Sequence, residues 1–304
     1  MKRKNWILLA VNILIWGSSW TAMKIGCKLV NPLNFVMQRF LFASIALLPA
    51  LPFTIKSFPK DGRTWLKLLV LSLFFASGIS LTHIALEHET TGLSSLLTYT
   101  QPLFVFCLAV PFLKEKATVI KALGVIMGFT GVATLYMERI KLETAMLNTI
   151  LFLMIGAFFW AVTIVYYKKF LTHVTPVIVN FIETLLGFTF LFAATLAFQQ
   201  PILIFNYSLT YVFAVLYTAV LGFAVASNIW LILLKDEETI TVATSSLTVP
   251  VIAAVFGYVF LEEAVSTTSL LSFILVLTGI YLVNVKEGSE SKKLHSMVKG
   301  AGSD

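Results

Sequence analysis

Two stretches of this chain carry the same punctuation. Trp16 and Pro32 recur as Trp160 and Pro176, a displacement of 144, and Pro102, Glu115 and Gly131 recur as Pro250, Glu263 and Gly279, a displacement of 148. The polypeptide is a tandem duplication, and each copy holds five long apolar segments, too hydrophobic and too regular for a soluble repeat. An odd number of spans per copy has a geometric consequence: the second copy starts on the opposite side of the bilayer and lies upside down. Inverted halves of this kind build many secondary transporters.

Composition agrees. Apolar residues make up 58% of the 304 residues and charged ones 12%, and mean hydropathy is +0.91. The apolar spans run over 6–23, 33–54, 65–86, 92–113, 119–137, 148–166, 177–198, 208–233, 241–261 and 268–285. The expected fold is therefore an all-α integral membrane protein of ten transmembrane helices. Residues 1–140 form a first five-helix repeat, 141–285 a second, inverted one, and 286–304 a disordered cytoplasmic tail rich in Ser, Gly and Lys.

The net charge of +7 reports topology, not a nucleic-acid partner. With the N-terminus inside, 17 Lys and Arg fall in cytoplasmic segments and four (Lys24, Lys28, Arg139 and Lys141) in outer ones, with Arg39 inside a span. The positive-inside rule then puts both termini in the cytoplasm of a cell whose inner, or plasma, membrane holds the chain. Cys27 comes near the outer end of the first span and Cys107 within the fourth, too far apart for a disulfide, and an impermeant thiol reagent is expected to reach Cys27 from outside.

Chemistry must sit inside the bilayer, because the loops leave no room for a catalytic domain. Arg39 and Glu183 occupy equivalent positions of the two copies, each about six residues, or ~9 Å, into its helix. A charge at the helix centre costs ~2.5–3.5 kcal/mol, so one that is retained faces a wet cavity, finds a partner, or snorkels to the nearer interface. Arg39 suits a substrate carboxylate or phosphate; Glu183 suits an amine or a coupling proton. Inversion sets them toward opposite faces, and they are not expected to touch.

Thr98-Tyr99-Thr100-Gln101-Pro102 in the fourth span and Ser245-Ser246-Leu247-Thr248-Val249-Pro250 in the ninth place polar side chains ahead of a helix-breaking proline at matching sites of both halves. Proline removes an amide donor and frees a carbonyl one turn earlier, which points to a central binding site, the alternative being hydroxyls that merely join helices. Trp16 and Trp160, with Ser19 and Thr163 nearby, offer aromatic walls or core packing. The candidate substrate-binding set is thus Trp16, Ser19, Arg39, Tyr99, Gln101, Trp160, Glu183, Ser246 and Thr248, with Pro102 and Pro250 as helix breaks.

Gly124, Gly128 and Gly131 share a helix face suited to close packing, within a monomer in preference to a dimer seam. Glu115 and Glu263 follow their spans as structural anchors or caps. His83 and His88, five residues apart, have poor spacing for a metal and read as a solvated loop. No nucleophile elbow, phosphate-binding loop, zinc-protease helix or dinucleotide fingerprint occurs, which disfavours ATP-driven pumping and hydrolysis, and no cofactor or metal is expected.

With Trp16-Gly17-Ser18-Ser19-Trp20, Pro32 and Arg39, and the twice-used Pro, Leu-x-Glu and late Gly pattern (Pro102, Leu113, Glu115, Gly131; Pro250, Leu261, Glu263, Gly279), the chain resembles the drug/metabolite transporter superfamily in its ten-helix EamA type. The resemblance covers about residues 6–285. It implies a uniporter, exchanger or proton-coupled carrier for amino acids, other small metabolites or drugs, with a central cavity between the halves. The second copy departs from the pattern: Trp160-Ala161-Val162-Thr163 lacks the Gly-Ser pair, and Glu183 stands where the first copy has Arg39. The expectation is an alternating-access carrier, by default an exporter. An importer or exchanger of an anionic or cofactor-like metabolite is the nearest competitor, and a pore, scramblase or scaffold a different class. Its partners are the bilayer and a small solute, with proton coupling through Glu183 in view. A reporter enzyme fused after Asp304 is expected to be active only in the cytoplasm; activity outside contradicts the assigned topology.

Overall fold

The computed structural model describes residues 3–115, 118–140, 145–197, 205–246, 248–263 and 266–284, so the tail expected at 286–304 lies outside the described residues. The described residues are helical with short connections. In chain order the helices are α1 (Arg3–Leu29), α2 (Pro32–Leu47), α3 (Gly62–His88), α4 (Thr91–Thr98), α5 (Gln101–Leu113), α6 (Val119–Ile140), α7 (Ala145–Phe170), α8 (Pro176–Ala197) and α9 (Leu209–Leu216). A π-helical stretch (Tyr217–Ser227) then leads into α10 (Asn228–Asp236), α11 (Thr239–Ser245), α12 (Thr248–Leu261) and α13 (Thr267–Asn284).

Seven stretches are each long and apolar enough to cross a bilayer, and three shorter apolar ones, 119–131, 248–261 and 267–279, complete ten spans. A membrane helix must satisfy its own backbone, and its ends are where partners are needed. Asn31 accepts from the Leu33 N–H ahead of Pro32, and Asp61 from the Thr64 N–H. That bond holds the exposed Asp61 carboxyl below its ordinary range. Glu263 crosses from one half to the other to accept from the Thr91 N–H at 2.7 Å and the Thr91 Oγ at 2.8 Å, at the start of α4.

The breaks follow from proline geometry. The Pro102 ring excludes an N–H bond to residue 98, and the fourth span divides into α4 and α5 at Tyr99–Thr100. The ninth span divides into α11 and α12 just ahead of Pro250 in the same way. The second span stops at Leu47, sooner than expected, where Pro49 and Pro52 end regular helix in a single 3₁₀ turn, Leu48–Ala50.

Contacts between the halves repeat under the sequence displacement. Trp16 meets Gly222 and Asn12 meets Ala226; 144 residues on from Trp16 and back from Gly222, Trp160 packs on Gly78, and Gly156 lies against Thr82. Both pairs are antiparallel. Within the first half the α1 and α3 ends lie side by side, joined by the Lys24 ammonium on the Leu86, Glu87 and Glu89 carbonyls. α7, antiparallel to α3, therefore runs opposite to its counterpart α1, and the halves are inverted.

The axis relating them passes where α6 and α13 cross. A side chain at Gly279 would lie 2.5 Å from the Gly124 carbonyl oxygen and the Gly128 nitrogen, and one at Gly131 would collide with Leu275 and Val276. The glycine face therefore packs inside the monomer. Large apolar side chains such as Leu209, Phe213, Tyr258 and Phe260 are exposed outward, where lipid tails cover them. Cys27 differs from expectation: only 2% exposed, it packs with Trp20, Met23 and Phe35, so the thiol is shielded from an impermeant reagent in this conformation. Replacing Gly279 by Ala should destabilise the fold by ~1–3 kcal/mol, because the new methyl meets backbone that cannot rotate away; thermal unfolding in detergent, with Gly62→Ala as the open-space control, measures it.

Candidate functional site

A cavity of about 110 Å³ opens between the halves, walled by α1, α3, α7, the π-helical stretch and α10, with single side chains from α2, α4 and α8. Its middle is aromatic. Trp16 and Trp160, equivalent under the duplication, meet edge to face with centroids 5.6 Å apart; Trp230 lies 5.1 Å from Trp16, and Tyr99 stands 5.4 Å from Trp160. Rings so placed favour each other's edges, and their faces attract cations.

The π-helical stretch shapes the wall. Its wide turns point carbonyls sideways, and side chains of other helices take them up. The Trp16 Nε1–H donates to the Gly222 oxygen at 3.1 Å, Asn12 Nδ2 to Ala226 at 2.7 Å, Asn180 Nδ2 to Phe223 at 2.9 Å, and Arg39 Nη2 to Thr218 at 3.4 Å. Ser19 and Arg39 lie against this turn: a Cβ at Gly222 would meet Ser19 Oγ at 3.6 Å and Arg39 Nη2 at 3.7 Å, ordinary contact distances.

Arg39 and Glu183 both line this cavity, 2% and 5% exposed. Neither runs to an interface, which removes the snorkelling alternative. Arg39 donates through Nη1 to His83 Nε2, stacks its guanidinium 4.1 Å from the Phe223 ring centroid, and keeps Nε without a partner. No salt bridge joins Arg39 to Glu183 among the described residues, and no hydrogen-bond partner of the Glu183 carboxyl occurs among them either. A guanidinium and a carboxyl group thus line one small cavity with no ion pair between them. Trp230, another wall residue, also keeps its buried Nε1–H unpartnered.

Trp16, Ser19, Arg39, Tyr99, Trp160 and Glu183 come together on the cavity wall; Gln101, Ser246 and Thr248 lie outside it. Gln101 is fully buried with both amide atoms unpartnered, Ser246 Oγ turns back to the Ala243 carbonyl, and Thr248 is exposed on the outside. The reason is local. Once the helix breaks before the proline, the residues flanking the break point in several directions, and Thr98 and Tyr99 are the ones that face inward. Buried Pro102 and Pro250 act only through these breaks.

Sequence reasoning missed His83, Trp230, Gly78 and Gly222. His83 is no part of a solvated loop: at 1% exposed it sits in the cavity wall, while His88 is the exposed one. The glycines carried a readable signal, since 78 and 222 differ by the same 144 as the tryptophans they pack on. Lys24 and Lys168 form a further such pair; the Lys168 ammonium binds the Leu234 and Glu237 carbonyls, each at 2.6 Å, at the end of α10 as Lys24 does at the end of α3. Trp230 has no counterpart to reveal it.

The family model of EamA-like transporters matches residues 4–137 and again 147–285. The chain belongs to the EamA-like transporter family. An uncharacterized transporter of Archaeoglobus fulgidus is 31% identical over 297 residues, spanning 94% of this chain and 99% of that protein. An Escherichia coli protein named "probable amino-acid metabolite efflux pump" is 25% identical, spanning 93% of this chain and 95% of its own length. One crystal structure shares the fold with a TM-score of 0.71 at 17% identity, covering 93% of this chain and 96% of the solved one. The protein is a multi-pass membrane transporter, not an enzyme. Trp16→Phe should cost ~1 kcal/mol, the worth of one hydrogen bond to a buried carbonyl, read from denaturant unfolding followed by intrinsic fluorescence.

Proposed function

We propose that this protein carries a small zwitterionic solute, of the amino-acid class, across the cell membrane by alternating access, by default as an exporter. The observation that supports it is the cavity's unpaired polarity: the Arg39 guanidinium and the Glu183 carboxyl line one small space and are joined by no salt bridge. An α-amino acid presents the complement, a carboxylate for Arg39 and an ammonium for Glu183. The tryptophan cage supplies cation-attracting faces for the ammonium, and Trp230 Nε1 and Arg39 Nε are donors left for the substrate.

The name of the Escherichia coli relative points the same way. Between loads, Glu183 takes a proton in place of the ammonium, so at this pole one proton returns for each ammonium carried out. The two halves, residues 1–140 and 141–285, are the bodies that rock about the cavity, and the basic inner loops hold both termini in the cytoplasm.

The cavity of about 110 Å³ is smaller than the ~300–1,000 Å³ of a typical ligand pocket, so alternating access requires it to widen as either face opens. Counterflow in proteoliposomes with a mixed metabolite panel tests the reading: saturable exchange of amino acids is expected, and exchange confined to anions lacking an amine would favour the importer or exchanger of anionic metabolites. Arg39→Gln and Glu183→Gln should each lower apparent affinity about 30-fold, from ~2 kcal/mol for a buried charge left unpaired. Glu183→Gln should also change the pH dependence of transport; an unchanged pH dependence in that variant retires Glu183 as a proton-carrying group.

A further inference from the structure

His83 stands in an apolar stretch of α3, and its two nitrogens have fixed roles. The Ile79 carbonyl, 2.8 Å from Nδ1, can only accept, so Nδ1 carries the proton. Arg39 Nη1 can only donate, so Nε2 presents its lone pair to the guanidinium. The imidazole is therefore held neutral, with its one basic atom occupied by a neighbouring cation.

The surroundings supply nothing to offset a second positive charge. Arg39 of α2 is the only charged group acting on His83 among the described residues. From α1, Cys27 faces Arg39, and the ammonium of Lys24 is taken up by three carbonyls. Glu87, on α3 itself, is exposed at the helix end. On the remaining sides Tyr99, just after α4, is uncharged, Tyr167 of α7 donates to the Leu231 carbonyl, Tyr211 of α9 donates to Gln38, and Glu183 of α8 lines the cavity without a bond to either residue.

A carboxylate arriving at Arg39 reverses both obstacles. It neutralises the guanidinium and draws Nη1–H away from Nε2, which frees the lone pair beside a new negative charge. We propose that His83 is the proton-binding partner of the Arg39 site, so that a carboxylate on Arg39 and a proton on His83 bind together and leave together. The step balances: a proton from water at the open face adds to Nε2, the Nη1–H···Nε2 bond breaks, and an Nη1–H···O bond to the carboxylate forms; release runs it backward. The proposal rests on reading Arg39 as the carboxylate pole and is separate from the amine pole at Glu183. His83 is then a coupling residue that the first half alone carries, since the position 144 residues on is Ser227.

Acetate, a carboxylate with no amine, engages Arg39 without engaging Glu183. In full-length protein in lipid nanodiscs, with ¹⁵N-labelled histidine and tryptophan, His83 Nε2 should protonate at higher pH in sodium acetate than in equimolar sodium chloride. Acetate affinity should rise by about tenfold per unit of falling pH over that range, the slope for one linked proton, and should be flat in His83→Gln, which keeps an acceptor for Arg39. In Arg39→Gln the His83 titration should ignore acetate. Acetate-induced shifts of the cavity tryptophan indoles with an unchanged His83 titration would overturn the proposal while leaving the carboxylate pole standing. Absence of any acetate-dependent shift would overturn both. The wild-type titration decides even if the His83 variant fails to fold.

Discussion

A bilayer offers a buried ionisable group no water, and the arrangement of this protein turns on how it keeps two of them, Arg39 and Glu183. Burying Arg39 and Glu183 costs several kcal/mol that neither recovers from the other. Arg39 is partly supported by the Phe223 ring, the Thr218 carbonyl and His83, while the Glu183 carboxyl has no such support among the described residues. What they share is a cavity. Charges held this way in a membrane are tolerable when the space between them is hydrated or filled by a complementary solute, which is the condition a carrier needs and a scaffold has no use for.

The duplication explains how such a cavity arises. Inverted copies bring Trp16 and Trp160 together near the axis, set Gly78 and Gly222 under them, and close the α6–α13 seam with glycine on both sides. Symmetry alone would give two identical poles. The copies have diverged at equivalent positions: Arg39 against Glu183, His83 against Ser227, and Trp230 against Leu86. The second copy's π-helical stretch exposes carbonyls that side chains from both copies take up, so the departure from regular helix contributes to the wall.

Much of this was legible beforehand. Hydropathy gave the ten spans, the paired landmarks gave the inversion, and the prolines marked where the fourth and ninth spans divide. Arg39, Glu183 and the two tryptophans stood out because a charge or a large ring inside an apolar run is rarely free of a role. The outcome for Gln101, Ser246 and Thr248 shows where that reasoning stops: a break reorients the residues around it by amounts that spacing cannot supply. His83 was hidden for a different reason. Next to Glu87, His88 and Glu89 it looks like part of a polar helix end, and only the fold separates the one histidine turned inward from its exposed neighbours.

If the halves rock as proposed, their shared polar cavity opens to one face at a time. Pulsed electron-electron spin distances test it most directly, with labels on cysteines replacing exposed Glu87 and Tyr207 at one face and exposed Arg63 and Lys235 at the other, in protein lacking Cys27 and Cys107. Two distance populations per pair are expected, shifting in opposite directions as an amino-acid gradient or pH is varied. Distances that stay fixed, or that widen together at both faces, would contradict the rocking.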